Sequence, residues 1–145
     1  MMFLNILDTM LIVIEGLDGS GKSTQVKRLR TYLESKCPNL EYIHFPRYDS
    51  PVYGELIGKF LRGDFGAINE VHPQLVALLY AEDRHAAAPE MWKTLNDGGI
   101  VLLDRYVYSN IAYIIAPPDL RKNLILPRYL QNRPDVRKHT ASALP

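Results

Sequence analysis

Nine consecutive residues near the start of the chain have types and spacing that suit the binding of phosphate. Residues 16–24 read GLDGSGKST and fit the pattern GxxxxGK[ST]. The glycines permit backbone angles that a Cβ would hinder, so successive backbone N–H groups turn toward phosphate oxygens beside the positive end of the following helix. Lys22 in this pattern reaches the β and γ phosphates, and Ser23 offers its hydroxyl to Mg²⁺. The spacing predicts a nucleoside triphosphate site; the alternative is a glycine-rich turn with a solvated lysine.

Polar residues also follow two later apolar runs of the chain. Asp104 and Arg105 come directly after residues 100–103, and Arg47 comes shortly after residues 42–45. Ligands of open α/β sheets bind at the carboxyl ends of the strands, where these residues are expected. A carboxylate there can order Mg²⁺ or its waters, and an arginine can hold phosphate oxygens through paired N–H bonds. The alternatives are a strand-end salt bridge for Asp104 and Arg105 and a solvated side chain for Arg47.

A tyrosine and an arginine one helical turn apart have types that suit a nucleobase. Tyr80 offers an aromatic ring, and Arg84 offers hydrogen-bond donors to an exocyclic oxygen. The alternative is core packing by the tyrosine and an ordinary surface charge for the arginine. The histidines show no metal-ligand spacing, so we expect structural or solvated roles for His44, His72, His85 and His139.

Alternating strands and helices are predicted to position these residues. An apolar run at residues 11–15 predicts a strand buried on both faces of a parallel sheet, and apolar residues at helical spacing follow the phosphate loop. Two more strands are predicted at residues 42–45 and 100–103. Between them lie three predicted helices: one ends at Gly63, one begins at Pro73, and one contains Met91, Trp92 and Leu95. This alternation predicts an α/β fold with right-handed crossovers and a parallel sheet.

Length and composition limit the class of protein. The 145 residues are 47% hydrophobic and 23% charged, which suits one globular core and a single domain. A net charge of +1 gives no general field for nucleic acid or an anionic membrane. No apolar run approaches the roughly 18 residues that span a bilayer. The single cysteine, Cys37, fits a reducing compartment, so a cytoplasmic location without nucleic-acid or membrane partners is expected.

The two ends of the chain differ from its middle. Met10 stands directly before the first predicted strand, so residues 1–9 are interpreted as an N-terminal extension; the alternative is an ordered extra turn or strand extension. Residues 117–145 hold five of the ten prolines. Residues 119–138 carry six basic and two acidic side chains, a net charge of +4, without repeated aromatic platforms. This composition favours a poorly ordered tail over a nucleic-acid-binding arm.

Four segments together resemble one known family. They read IEGLDGSGKST at residues 14–24, FPR at 45–47, LLYAEDR at 78–84 and DRYVYSNIAY at 104–113. Over about residues 10–113 the chain is similar to the thymidylate kinases, and the last segment is far more specific than the phosphate loop. The resemblance implies Mg²⁺-dependent transfer of the γ-phosphoryl group of ATP to dTMP, giving dTDP. It also implies a homodimer and a three-layer P-loop fold of the α/β class with sheet order 2-3-1-4-5.

The resemblance further implies roles for individual residues on the ATP side. The phosphates would be held by a set that comprises Gly16, Leu17, Asp18, Gly19, Ser20, Gly21, Lys22, Ser23 and Thr24. Ser23 and Asp104 would organise Mg²⁺, and the catalytic residues would be Lys22, Asp104 and Arg105. No general base is needed, because the acceptor is already an anionic phosphate and positioning with charge neutralisation supplies most of the rate.

A second set of residues is implied for dTMP. Asp18 would accept a hydrogen bond from the 3′-hydroxyl, while Arg47 and Arg105 would grip the phosphate. Tyr80 stands where the family usually has a phenylalanine that stacks on thymine. The remaining residues of this implied set are Arg84 at the base carbonyl, Ser109 lining the pocket and Tyr113 near C2′, where it would disfavour a ribose hydroxyl.

The chain departs from the family pattern at two places. The phosphate loop has Gly19, and family members without an arginine in this loop carry catalytic arginines in a later lid. No similarity is found from Ile114 onward, so residues 10–113 are interpreted as a partial P-loop core and residues 114–145 as the divergent tail of a truncated or frame-shifted chain. We expect the last two strands and the lid to be missing and turnover to be weak or lost. The alternatives are a non-catalytic nucleotide-binding fragment and a kinase for another nucleoside monophosphate.

Overall fold

The computed structural model describes residues 9–67 and 70–111, so the interpretations of residues 1–8, of the tail and of Tyr113 lie outside this part of the chain. Three strands and four helices occur within it. In chain order they are β1 (Met10–Ile14), α1 (Lys22–Glu34), β2 (Leu40–His44), α2 (Tyr53–Arg62), α3 (Pro73–Asn96), β3 (Ile100–Asp104) and α4 (Val107–Asn110).

The three strands form a parallel sheet in the order β1-β3-β2. Both outer strands run parallel to β3, and Ile14 and His44 are the residues in register with Asp104. All five residues of β3 are buried, as expected of a central strand with neighbours on both sides. The predicted α/β class and parallel sheet are confirmed, and the order agrees with the first three positions of the expected family sheet.

Strand β1 was predicted to be buried on both faces, and this prediction is wrong. Leu11 is 45% exposed and Val13 38% exposed, whereas Ile12 and Ile14 pack against the core residues of unit 1. Among the described residues, β1 pairs with β3 alone, so it lies at an edge of the sheet. A continuous apolar run does not distinguish a central strand from such an edge strand.

Helix α3 replaces two predicted helices with one. It continues for 24 residues, from Pro73 to Asn96, with Pro89 inside it. The three alanines at residues 86–88 have the highest helix propensity and carry the helix across the predicted break. A proline inside a helix removes one backbone hydrogen bond and normally kinks or ends it, and here the neighbouring turns maintain the helix.

The chain divides into two compact units, and α3 contributes to both. Within the described residues, unit 1 comprises residues 9–45 and 84–106, and unit 2 comprises residues 46–67, 70–83 and 107–111. The sheet and α1 lie in unit 1, whose core includes Ile43, Phe45, Ala87, Met91, Val101, Leu103, Leu33, Ile100 and Leu102. The core of unit 2 contains Ile57, Phe60, Leu61 and Val76. The single core predicted over residues 10–113 stays a prediction.

No helix in the described part of the chain has both the length and the apolar character needed to cross a membrane.

Candidate functional site

The loop between β1 and α1 has the backbone conformation that the glycine spacing predicted. Gly19 and Gly21 have φ angles of +83° and +81°, in the left-handed region that favours glycine. A Cβ on Gly16 would lie 2.9 Å from Oγ of Ser20, so the loop is also tight at its first residue. Helix α1 begins directly after Gly21, which has no side chain to cap the first turn. The N-terminal end of α1 therefore presents the partial positive charge that suits a phosphate group.

Lys22 and Asp104 form a buried ion pair in unit 1. Each side chain is only 7% exposed, and Nζ of the lysine donates to Oδ1 of the carboxylate. On the other oxygen, Nδ1 of His44 lies 3.0 Å from Oδ2. Burial by itself would raise the pKa of Asp104, but the hydrogen bonds from His44 and Lys22 outweigh it and lower this pKa to about 2. Asp104 is therefore an ionised carboxylate at neutral pH.

His44, the last residue of β2, also belongs to this cluster. His44 was assigned a structural or solvated role, and in the structure it is a hydrogen-bond partner of Asp104. The parallel register places these two residues opposite each other at the carboxyl ends of β2 and β3. Tyr42 lies two residues earlier, where burial and then the charge of Asp104 raise the pKa of its hydroxyl. The position of His44 at the end of a predicted strand is the signal that could have identified it.

Asp18 and Arg105 also meet within unit 1. Nη2 of Arg105 donates to Oδ1 of Asp18, linking the phosphate loop to the residue after β3. Arg105 has a φ of +70°, which is strained for a residue with a Cβ. Its backbone N–H donates to the carbonyl of Ile14 at 2.9 Å, and the next N–H, that of Tyr106, donates to the carboxylate of Glu15 at 2.9 Å. Residues 14–18 therefore hold Arg105 through its backbone and its guanidinium.

Arg47 belongs to unit 2 and is held by a different carboxylate. Its backbone N–H and its Nε both donate to the side chain of Asp83, at 2.8 and 3.0 Å. Asp83 is fully buried, and the sequence pattern marked it only as a member of the segment LLYAEDR. A solvated arginine was the alternative to a phosphate-binding role, and this geometry contradicts that alternative. Asp83 lies 36 residues after Arg47 in the sequence, so no local pattern could predict that these two residues pair.

The residues predicted to contact the base and sugar are divided between the two units. In unit 2, Tyr80 packs against the core cluster and Ser109 lies in α4. In unit 1, the guanidinium carbon of Arg84 lies 5.8 Å from the ring centroid of Tyr106. Tyr113 is outside the described residues. Core packing was the alternative for Tyr80, and the contact with the cluster shows that this packing occurs.

Comparison with known proteins adds an independent observation. A family model described as thymidylate kinase matches residues 14–137. A thymidylate kinase of Plasmodium falciparum is 32% identical over 142 residues, covering 86% of this chain and 65% of the relative. One of Mycobacterium tuberculosis (strain CDC 1551 / Oshkosh) is 36% identical over 108 residues, covering 74% of this chain and 50% of the relative. The chain thus spans between half and about two thirds of the length of these relatives.

The fold has a counterpart among solved structures. A thymidylate kinase from Candida albicans superimposes with a TM-score of 0.61 at 23% sequence identity, covering 95% of this chain and 78% of the other. Identity at this level supports the fold alone. The family match ends at residue 137, well beyond Tyr113, so similarity extends into the part of the chain where the motifs gave none. Because the family model covers most of the sequence, the chain belongs to the thymidylate kinase family.

Proposed function

We propose that this chain phosphorylates dTMP, transferring the γ-phosphoryl group of ATP to give dTDP and ADP, with slow turnover. An oxygen of the dTMP phosphate forms a bond to the γ-phosphorus, and the bond from that phosphorus to the β–γ bridging oxygen breaks. The observation that carries the proposal is the buried pair that joins Lys22, the lysine of the GxxxxGKS loop, to Asp104 at the carboxyl end of β3. Family membership supports the same assignment.

On the donor side, Lys22 and the backbone N–H groups of residues 16–24 bind the phosphates of ATP. The lysine is already desolvated in its pair with Asp104, so less water must be removed when it meets a phosphate. The carboxylate of Asp104 is ionised, and the hydroxyl of Ser23 follows Lys22 on the first turn of α1. Both are oxygen donors of the kind that Mg²⁺ prefers, so these residues fit the ion. When bound, Mg²⁺ neutralises charge on the phosphate oxygens.

On the acceptor side, Arg47 and Arg105 contact the phosphate of dTMP. Asp18 accepts a hydrogen bond from the 3′-hydroxyl, which means that the substrate must share or replace its pair with Arg105. The proposed contacts to thymine and the sugar come from Tyr80, Arg84, Ser109 and Tyr113. The cytoplasmic location and the homodimer expected from the sequence belong to the same proposal.

A second candidate function is nucleotide binding without transfer. The observation in its favour is Gly19, which leaves the phosphate loop without a cation beyond Lys22. An arginine that meets the transferring phosphoryl group contributes about 10³-fold or more to the rate of related enzymes. The affinity for ATP does not depend on this arginine as the transfer rate does, so a chain without it can bind ATP and still fail to transfer the phosphoryl group.

The test is ATP-dependent formation of nucleoside diphosphates from a panel of nucleoside monophosphates. We expect dTDP to form in preference to the other products, and the Lys22→Ala variant to lose this activity. Lys27→Ala, which removes an exposed lysine from the same helix, is the matched control and should retain it. ATP binding without product from any nucleotide would favour the second candidate. Turnover unaffected by Lys22→Ala would contradict the proposed site.

A further inference from the structure

Asp83 is a buried carboxylate that the proposed reaction does not use. Its exposed fraction is 0%, and a carboxylate at such a position is costly unless it is paired and hydrogen-bonded. It accepts hydrogen bonds from the backbone N–H of Arg47 at 2.8 Å and from Nε at 3.0 Å. The hydroxyl of Ser50 donates to the same carboxylate at 3.1 Å. Within unit 2, these hydrogen bonds to the carboxylate of Asp83 all come from the loop that contains Arg47 and Ser50.

Asp83 holds Arg47 by the backbone and the side chain at once. Besides the two bonds to the carboxylate, Nη2 of Arg47 donates to the backbone carbonyl of Asp83 at 2.8 Å. The guanidinium is planar, so a contact at Nε together with one at Nη2 fixes its plane as well as its position. The edge that contains Nη1 is then directed away from Asp83. An arginine fixed in this way loses less rotamer entropy when it binds an anion than a solvated arginine does.

The loop that carries Arg47 is itself closed and packed against α2. The N–H of Ser50 donates to the carbonyl of Arg47 at 2.9 Å, and the N–H of Gly54 donates to Oγ of Ser50 at 3.2 Å. A Cβ at Gly54 would lie 2.1 Å from the carbonyl oxygen of Arg47, a distance that no side chain can occupy. The glycine therefore permits α2 to begin directly against this turn. Arg47 is anchored from its own turn, from α2 and from α3.

We infer that Asp83 is a positioning residue, which orients the guanidinium of Arg47 to receive the phosphate monoester of the acceptor nucleotide. This inference rests on the proposed function, because it takes Arg47 as a ligand of that phosphate. Asp83 is buried behind Arg47 and acts through it. A positioning role predicts an effect confined to ligands that carry the phosphate, whereas a purely structural role predicts equal effects on the nucleotide and its nucleoside.

The test compares the binding of dTMP and thymidine to the full chain and to Asp83→Asn by calorimetry. An asparagine has the same shape, but it presents an N–H₂ group to one of the donors of Arg47. We expect the affinity for dTMP to fall about 10- to 100-fold, in line with the loss of charge-assisted hydrogen bonds. The affinity for thymidine should change less than about twofold, because no phosphate is present. Asp64→Asn removes an exposed carboxylate of unit 2 and should change neither affinity.

Two further variants keep the test decisive. Ser50→Ala removes one neutral donor to Asp83 and should give a smaller selective loss, about three- to tenfold, even if Asp83→Asn folds poorly. In an Arg47→Ala background, Asp83→Asn should cause no additional loss of dTMP affinity.

The possible outcomes separate the inference from the proposed function. Suppose that the wild-type chain binds dTMP better than thymidine. If Asp83→Asn then lost affinity equally for dTMP and thymidine, or lost none for either, the inference would be overturned and the proposed function would stand. A wild-type chain that bound dTMP no better than thymidine would instead refute the phosphate role of Arg47, and the proposed function and the inference would fail together.

Discussion

The backbone N–H of Tyr106 donates a hydrogen bond of 2.9 Å to Oε1 of Glu15, joining the end of β1 to the segment after β3. The residue between β3 and Tyr106 is Arg105, whose φ of +70° is unfavourable for any residue with a side chain. This conformation persists because the surrounding contacts compensate for it, and the Glu15 carboxylate supplies one of them. The glutamate directly before the phosphate loop therefore supports the arginine directly after Asp104.

Removal of the Glu15 carboxylate should destabilise unit 1. Glu15→Ala leaves the partly buried N–H of Tyr106 without this acceptor, which costs about 1–3 kcal/mol of unfolding free energy. Glu15→Gln keeps a neutral acceptor and should cost about half as much. Glu34→Ala breaks an exposed pair with Arg30 and should cost about 0.5 kcal/mol or less. Urea unfolding measures all three, and equal losses for the alanine and glutamine variants at residue 15 would contradict a hydrogen-bonding role.

The contacts of Asp104 with His44 and Lys22 should make stability depend on pH in the acid range. The pKa of Asp104 is about 2 in the folded chain against an ordinary value of 3.8. Because the folded pKa is the lower one, the stabilisation is complete well above pH 3.8 and is lost as pH falls toward 2. The shift corresponds to about 2 kcal/mol in total, of which about 1 kcal/mol is lost by pH 3.

Urea unfolding in EDTA between pH 6 and pH 3 tests this dependence. Asp104→Asn is less stable than wild type at pH 6 because Lys22 is left buried without its counter-charge. The gap between the two proteins should narrow by about 1 kcal/mol at pH 3, since the asparagine does not titrate. A gap that stayed constant over this range would show that Asp104 is not held ionised by its neighbours.

How much was predictable from sequence can be seen at Lys22 and Asp83. The glycine spacing before Lys22 is a local signal, and it correctly predicted the loop conformation and the start of α1. The apolar run before Asp104 likewise predicted a strand that ends at a polar residue. The partner of Arg47 required the path of α3, which brings Asp83 to a loop 36 residues earlier. No periodicity within a short window contains that information.

Two predictions were wrong, the break in α3 and the burial of β1 on both faces, and both failed because they depend on tertiary contacts that a local pattern does not show. The sequence predicted one helix from Pro73 toward Arg84 and a further helix containing Met91, Trp92 and Leu95, but α3 is continuous and the alanines at residues 86–88 carry it on to Pro89. The run at residues 11–15 predicted a strand buried on both faces, although loss of the last two strands was expected to expose its apolar edge. Leu11 is exposed, because an apolar run alone does not show how many neighbours its strand has. In both segments the type of secondary structure was predicted correctly, and the tertiary environment determined how far the helix continued and how much of the strand was buried.

The exposed side chains of β1 should promote self-association. Leu11 points away from the core that Ile12 contacts, and within the described residues this strand has a neighbour on one side only. Apolar edge strands pair readily with other chains, and a lysine on the edge opposes such pairing. Leu11→Lys should therefore reduce concentration-dependent association in sedimentation velocity, with a change in unfolding free energy of about 0.5 kcal/mol or less.

Ile12→Lys is the matched control on the neighbouring residue. It places a charge against the core cluster that includes Leu33, Ile100 and Leu102 and should destabilise by several kcal/mol, on the order of 3. Association that was equally strong in wild type and Leu11→Lys would show that this side chain takes no part in it.

Replacement of two glycines of α2 by alanine should change the free energy of unfolding in opposite directions. A Cβ at Gly54 would lie 2.1 Å from the backbone carbonyl of Arg47, so Gly54→Ala must displace the turn and should cost about 1–3 kcal/mol. A Cβ at Gly58 meets only Nη1 of Arg62, at 3.2 Å, and this flexible side chain can move aside. Alanine is the better helix former, so Gly58→Ala should stabilise by about 0.5–1 kcal/mol.

Thermal and urea unfolding measure directly whether each variant is more or less stable than the wild-type chain. Binding adds a second readout, because a displaced turn moves the backbone N–H and the guanidinium of Arg47 relative to Asp83. Gly54→Ala should therefore weaken dTMP binding more than thymidine binding, as proposed for Asp83→Asn, while Gly58→Ala leaves both unchanged. If both glycine variants were stabilising, the close approach of α2 to the Arg47 turn would not exist in solution, and the anchoring of Arg47 would have to be sought in Asp83 alone.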